Sequence, residues 1–298
     1  MYKKRLIEQG IRAADSNIYE EDRIWSRYSH DKVDIGEELT KVIRTLNKTF
    51  PLNKSLRALS IGSSNEPQFR ILEATFRGGL YLLDLNKDAL DIVQERIHRQ
   101  CTNHVATIHD DYNRIFLNTE NTTAFLKNKL GGKKVELVTL HHSLYYSQES
   151  NWMRIFENLY RSILAPKAAV HCVLMASRSN DPSTTTWLYN HFAGKYFACH
   201  NNQDLRSFRE ILKSNPLFKK SQIFISTHHV RFFINDFVKF MAVIWMILLY
   251  PDVHKYSIEQ RREITEFIYK RFWLKKKPLI QAQNHLVIYR RIGLRGLF

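Results

Sequence analysis

Residues 56–90 read LRALSIGSSNEPQFRILEATFRGGLYLLDLNKDAL. This stretch decides the fold. Residues 56–61 form a short, mostly apolar run, which predicts a strand, and Gly62-Ser63-Ser64-Asn65 predicts a turn. Ser64-Asn65-Glu66-Pro67 then supplies a capping side chain, a first-turn acid and an early proline, the chemistry that starts a helix. That helix is expected to reach Arg77 and stop at Gly78-Gly79. Residues 80–85 predict a second strand and residues 87–99 a second helix.

The same alternation continues on the C-terminal side. Apolar runs at 104–108, 135–141 and 168–175 predict three more strands, and residues 151–164 predict an amphipathic helix ended by Pro166. Strands separated by helices mean βαβ units and a parallel sheet. The runs are continuous rather than alternating, as expected where helices cover both faces. Beyond Ser177, helices are expected at 184–196, 204–213, 236–249 and 258–272, with strands at 222–227 and 285–289. Residues 1–50 carry apolar positions at helical spacing, including Val33, Ile35, Leu39, Val42, Ile43 and Leu46. The expected organisation is an N-terminal helical cap over 1–52 and an α/β domain over 53–298, with helical insertions at about 180–215 and 236–275.

Composition narrows the function classes. The chain has 298 residues, 44% of them hydrophobic, enough for a sizeable core. Its three cysteines, Cys101, Cys172 and Cys199, are too scattered for a disulfide framework, and without a Cys-x-x-Cys a thiolate zinc site is not expected. The basic start Met1-Tyr-Lys-Lys-Arg5 is followed by no apolar run, so no secretory signal is expected and the cytoplasm is the expected compartment. The longest apolar run, residues 240–250, is too short for a bilayer core that needs about 20 residues. The net charge of +16 is uneven: residues 1–150 hold 22 Lys and Arg against 20 Asp and Glu, residues 151–298 hold 23 against 9. Such asymmetry suits an anionic partner or a solvated surface.

Ligands of open parallel sheets bind at the carboxyl ends of strands, where the strand order reverses. Here those ends carry Gly62, Asp84, Asp110-Asp111 and His141-His142-Ser143. A glycine lets a ligand approach the backbone. Asp84 follows it at about the spacing that puts an acid on a ribose hydroxyl pair. Asp110 and Asp111 can accept from an adenine amino group. With one glycine in the turn the dinucleotide fingerprint fails, and no Gly-Lys-Ser/Thr follows to make a phosphate loop. A nucleoside site without a pyrophosphate grip remains.

Leu59-Ser-Ile-Gly-Ser-Ser-Asn-Glu66, Leu83-Asp84-Leu85-Asn86 and Val138-Thr-Leu-His-His-Ser-Leu-Tyr-Tyr146 resemble the successive motifs of class I S-adenosylmethionine (SAM)-dependent methyltransferases. That resemblance implies a Rossmann-like, seven-stranded, mostly parallel sheet whose last strand is antiparallel. It implies SAM as cofactor, with Gly62, Ser63, Asp84, Asn86, Asp110, Asp111 and His141 as cofactor-binding positions. Residues 56–177 carry it; the turn departs from the family in having Ser64 near the place of a second glycine. A narrower similarity, to the histamine N-methyltransferase-like branch, rests on Leu144-Tyr145-Tyr146, the segment 179–197 and Gln203-Asp204-Leu205. It puts His142 where that branch has a substrate-contacting Gln.

Methyl transfer from a sulfonium needs mainly alignment. A base is needed only if the nucleophile must lose a proton early, and His142, then His141, are the expected bases, because imidazole titrates near neutral pH. Tyr145, Tyr146, Tyr28 and Gln281 are expected to touch substrate. The expected acceptor is an N or O atom of a small molecule. Two alternatives stand beside it: an RNA acceptor held by the basic C-terminal half, or a SAM-binding fold that docks on an acidic partner or anionic membrane through residues 237–250. No His, Cys and carboxylate set has metal-ligand spacing, so no metal is expected.

Overall fold

The computed structural model describes residues 2–16, 18–62, 68–249 and 255–292. Seven strands form one sheet: β1 Arg57–Ile61, β2 Gly79–Asp84, β3 Val105–His109, β4 Val135–His141, β5 Leu164–Met175, β6 Ser221–Phe232 and β7 Leu279–Arg290. Their order is β3-β2-β1-β4-β5-β7-β6. β1 pairs in parallel with β2 and β4, β2 with β3, and β4 with β5. β7 is the antiparallel strand, as expected. Strand order reverses between β1 and β4, so their carboxyl ends flank the place where such sheets bind ligands.

The chain divides into two compact units. One comprises Ile35–Leu174, Asp204–Ser226 and Asn284–Phe298. Its central strands β1 and β4 are buried at every position, which explains why their sequences are largely apolar rather than alternating. One face of this sheet, through Ala58, Leu80, Leu82, Leu137, Ala169 and Val287, packs on the helices Asp31–Thr49, Gln68–Thr75 and Lys87–Arg99. The other face, including Leu59, Val138, Leu140 and Val170, clusters with Phe116, Trp152, Phe156 and Phe208 from flanking helices. The alternation follows from the pleat, which sends successive side chains to opposite faces.

The second unit comprises Met1–Asp34, Met175–Gln203 and Thr227–Gln283. Its core is the helix Phe237–Leu249, whose Phe240, Met241, Ile244 and Trp245 are fully buried. The Trp245 indole N–H donates to the Gly10 carbonyl at 2.8 Å. The apolar stretch that motivated membrane docking is therefore the inside of a core. Among the described residues, no helix is long and apolar enough to cross a membrane.

Several elements differ from expectation. The helix Gln68–Thr75 ends two residues before Arg77, while its capping segment 63–67 lies outside the described residues. β5 begins at Leu164, so Pro166 sits at the start of a strand, where its missing N–H is tolerated. β7 starts at Leu279 and takes in Gln281, Gln283 and Asn284, all buried; polarity hid the first half of this strand. β6 extends to Phe232 with alternating burial, as a strand with a solvated face does. Two helices had no counterpart in the expected pattern: Tyr112–Phe116 and Thr119–Lys129, capped by Asp111 and Asn118.

Candidate functional site

Gly62 closes β1 with φ +71°, in the left-handed region that favours glycine. Its N–H donates to the Leu83 carbonyl of β2 at 2.8 Å. A Cβ at this position would stand 2.6 Å from the Cβ of Ser143, in the loop after β4. The close approach that requires glycine is therefore made by protein. Ser63 lies outside the described residues.

Asp84 ends β2 and is half-buried. One carboxylate oxygen accepts the Asn86 N–H at 2.9 Å, and its carbonyl accepts the Asp110 N–H at 3.1 Å. Asn86 caps the helix Lys87–Arg99 by accepting the Ala89 N–H at 3.2 Å. Asp110 accepts the Asp111 N–H at 2.7 Å and both its oxygens take Arg114 Nη2, at 2.7 and 2.6 Å. Asp111 caps the helix Tyr112–Phe116 through the Asn113 N–H at 2.8 Å. Both acids after β3 thus have local structural partners. Asp84 also takes the Asn86 N–H, and it ends β2, the strand beside β1.

At the end of β4, His142 has φ +53°, an uncommon backbone for a residue with a side chain. Its N–H continues the ladder by donating to the Val173 carbonyl at 2.9 Å. The ring stacks on Tyr145, with centroids 5.9 Å apart and planes 16° apart, and its Nδ1 lies 3.4 Å from the Tyr145 hydroxyl. Tyr145 is half-buried in the turn Leu144–Tyr146, whereas Tyr146 is exposed. The Tyr112 hydroxyl donates to the Ser143 carbonyl at 2.9 Å, and burial pushes that phenol's pKa well up, keeping it neutral.

Direct contacts thus join Gly62 with Ser143 and His142 with Tyr145. Asp84, Asn86, Asp110 and Asp111 form a second linked set, and the Gly62–Leu83 bond connects the ends of β1 and β2. Tyr28 and Gln281 belong to the other compact unit. Tyr28 is exposed at the end of the helix Ile18–Tyr28, with the Arg27 guanidinium 5.5 Å from its ring centroid. Gln281 is buried and its Nε2 lies 3.4 Å from the Gln283 Oε1.

The sequence matches no protein-family model and no curated protein sequence. Solved structures do match in shape. A candidate methyltransferase from Bacillus halodurans superposes with a TM-score of 0.51 at 12% identity, over 84% of this chain and 98% of that one. The YcgJ protein of Bacillus subtilis gives 0.52 at 10% identity, over 85% and 99%. The fold is that of class I methyltransferases.

Other functional candidates emerge only from the structure. The Ser143 hydroxyl is buried beside Gly62 with no hydrogen-bond partner among the described residues. Buried polar groups are normally paired, so a ligand or water contact would account for it. Two further buried histidines are His171 on β5 and His285 on β7; His171 stands in an apolar run, where a lone His was the available signal, whereas His285 follows the polar Gln283 and Asn284. In the second unit, Glu21 is fully buried and accepts the Ser16 hydroxyl at 2.6 Å; burial raises its carboxyl pKa to about 7. Among the described residues, no group of three or more His, Cys, Asp or Glu could hold a metal ion.

Part of the basic C-terminal charge is neutralised within the second unit. Arg261 pairs with Asp15 at 2.8 Å and Arg262 with Glu8 at 2.7 Å. Arg290, in the sheet unit, donates to the Leu164 carbonyl at 2.9 Å. The excess in residues 151–298 is therefore partly matched by acids from the N-terminal helices.

Proposed function

We propose that this protein transfers a methyl group from SAM to an N or O nucleophile of a small molecule. The observation that carries this is Asp84: a half-buried carboxylate at the carboxyl end of β2, one strand from the switch point between β1 and β4, in a sheet with the class I methyltransferase strand order. A carboxylate at that place can accept hydrogen bonds from a ribose hydroxyl pair. The buried Ser143 hydroxyl, without a partner among the described residues, fits a polar ligand at the same edge.

In this proposal Asp84 and Gly62, with Asn86, Ser63 and His141, hold the cofactor, and Asp110 and Asp111 shape the adenine end. Bound SAM supplies an electrophilic methyl on a sulfonium. The chain's own residues orient the acceptor and, where needed, take its proton. His142 suits that role, because it is half-buried and the Tyr145 ring fixes its plane. Its left-handed backbone is the kind of strain that persists where geometry is over-determined. Tyr145 walls the acceptor side, with Tyr146 as a further contact. Within the class, the likeness to the histamine N-methyltransferase-like branch is kept without its substrate, because no N-terminal residue of this chain aligns with that branch's acidic substrate residue.

Thermal shift with S-adenosylhomocysteine tests the proposal, since a ligand of the native state stabilises by mass action. A rise in midpoint that NAD and ATP do not reproduce is expected. No shift at saturating ligand rejects it. An RNA acceptor is the second reading, favoured by the charge excess of residues 151–298. It requires binding that weakens steeply with salt.

A further inference from the structure

Three buried imidazoles lie in a row across β4, β5 and β7. His141 Nε2 is 3.1 Å from His171 Nδ1, and His171 Nε2 is 3.3 Å from His285 Nδ1. Ring centroids are 4.8 and 5.5 Å apart. All three residues are at most 1% exposed. The pairing explains why they meet. His171 is in register with Thr139, two residues before His141 on β4, so both histidines project from the same face of the sheet. Thr139 itself bonds the Ser60 hydroxyl of β1 at 3.0 Å. Polar side chains thus run across four strands of the sheet and reach the carboxyl end of β4.

Imidazole chemistry makes such a row a coupled unit. A neutral ring has one N–H donor and one acceptor nitrogen. If His141 Nε2–H donates to His171 Nδ1, then His171 must carry its proton on Nε2 and donate to His285 Nδ1, and His285 must carry its own on Nε2. If instead His171 Nδ1–H donates to His141 Nε2, then His285 Nδ1–H must donate to His171 Nε2, and His141 carries its proton on Nδ1. Three neutral rings therefore share one tautomer, all Nε2–H or all Nδ1–H. Other neutral combinations put two protons, or none, into one of the two contacts. Only a doubly protonated His171 permits opposite tautomers at the ends, and burial disfavours that charged form.

We propose that His171 and His285 are positioning residues: they keep His141 neutral and decide which of its nitrogens carries the proton at the cofactor end of β4. The functional part rests on the SAM reading; the tautomer coupling does not. A neutral, oriented His141 beside a cationic cofactor avoids like-charge repulsion. It leaves proton removal to His142, which is not part of the row. The same coupling makes a residue on β7 a determinant of the ligand site.

The test begins on the unliganded, full-length protein. Selective 15N-histidine labelling and long-range N–H correlation spectra at neutral pH assign each ring's tautomer, with single substitutions identifying the signals. Three neutral rings of one common tautomer are expected. Mixed tautomers, or an imidazolium at His171, overturn the coupling. The tautomers are read in the native protein, and the substitutions serve to assign its signals. In His285→Asn the His141 tautomer should change or become mixed, while His142 signals stay put; an unaltered His141 spectrum overturns the positioning role. S-adenosylhomocysteine affinity, by calorimetry, should fall about fivefold in His285→Asn, the weight of one ordinary hydrogen bond. Unchanged affinity, with wild-type binding intact, overturns the link to the ligand site. Absence of binding by the wild-type protein overturns the SAM reading alone, since the spectra judge the coupling separately.

Discussion

Gly62→Ala is the sharpest single perturbation of the switch point. Two costs add. The residue has φ +71°, where an L side chain costs roughly 1–2 kcal/mol. Its new Cβ would also sit 2.6 Å from the Ser143 Cβ, and relieving such overpacking costs typically about 1–3 kcal/mol. A loss of roughly 2–5 kcal/mol follows, which lowers the melting midpoint by roughly 5–15 °C in a chain of this size. The two costs can be separated. Ser143→Gly removes the clashing atom but leaves the backbone conformation of position 62 unchanged. In a double-mutant cycle by thermal or urea denaturation, the pair should recover the overpacking part and show a coupling of about 1–3 kcal/mol. Additive effects would refute the contact. A Gly62→Ala protein as stable as wild type would refute the local backbone geometry as well.

Three more outcomes are expected. Asp84→Ala should weaken SAM and S-adenosylhomocysteine binding while the circular dichroism spectrum stays native; undiminished affinity by calorimetry would remove Asp84 from the cofactor site. His142→Gly should lower turnover yet raise stability by about 1 kcal/mol, because glycine relieves the left-handed strain at φ +53°; a loss of stability would mean that stacking on Tyr145 outweighs the strain. Glu21 binds its proton more tightly folded than unfolded, its pKa rising from 4.5 to about 7. The wild-type protein should therefore lose stability as pH rises from 4.5 to 7, by on the order of 2 kcal/mol. Glu21→Gln should flatten that dependence, and an unchanged pH profile of unfolding would show that another group carries it.

Much of the architecture was legible because its signals are local. Apolar runs, capping residues and Gly or Pro punctuation placed β1 to β5 within a few residues. The ends of four strands could therefore be named from the chain alone. Legibility failed where polar residues enter a strand. Gln281, Gln283 and Asn284 are buried in β7 although their residue types suggest a loop. The candidate base and cofactor positions at strand ends were readable for the same local reason. The partners of those residues were not.

Three facts needed the tertiary structure. Gly62 is glycine because of Ser143, a residue of another strand's loop. Arg261 and Arg262 find Asp15 and Glu8 from the opposite end of the chain, so a charge excess counted by halves overstates the field. His141, His171 and His285 become one hydrogen-bonded row only because the order β4-β5-β7 makes their strands neighbours. The physical reason is common to all three. Turn chemistry and apolar periodicity act over a few residues, and the amino-acid sequence alone determined that βαβ order and the acid that ends β2. Which side chains meet across strands depends on sheet order and register, which long-range packing decides.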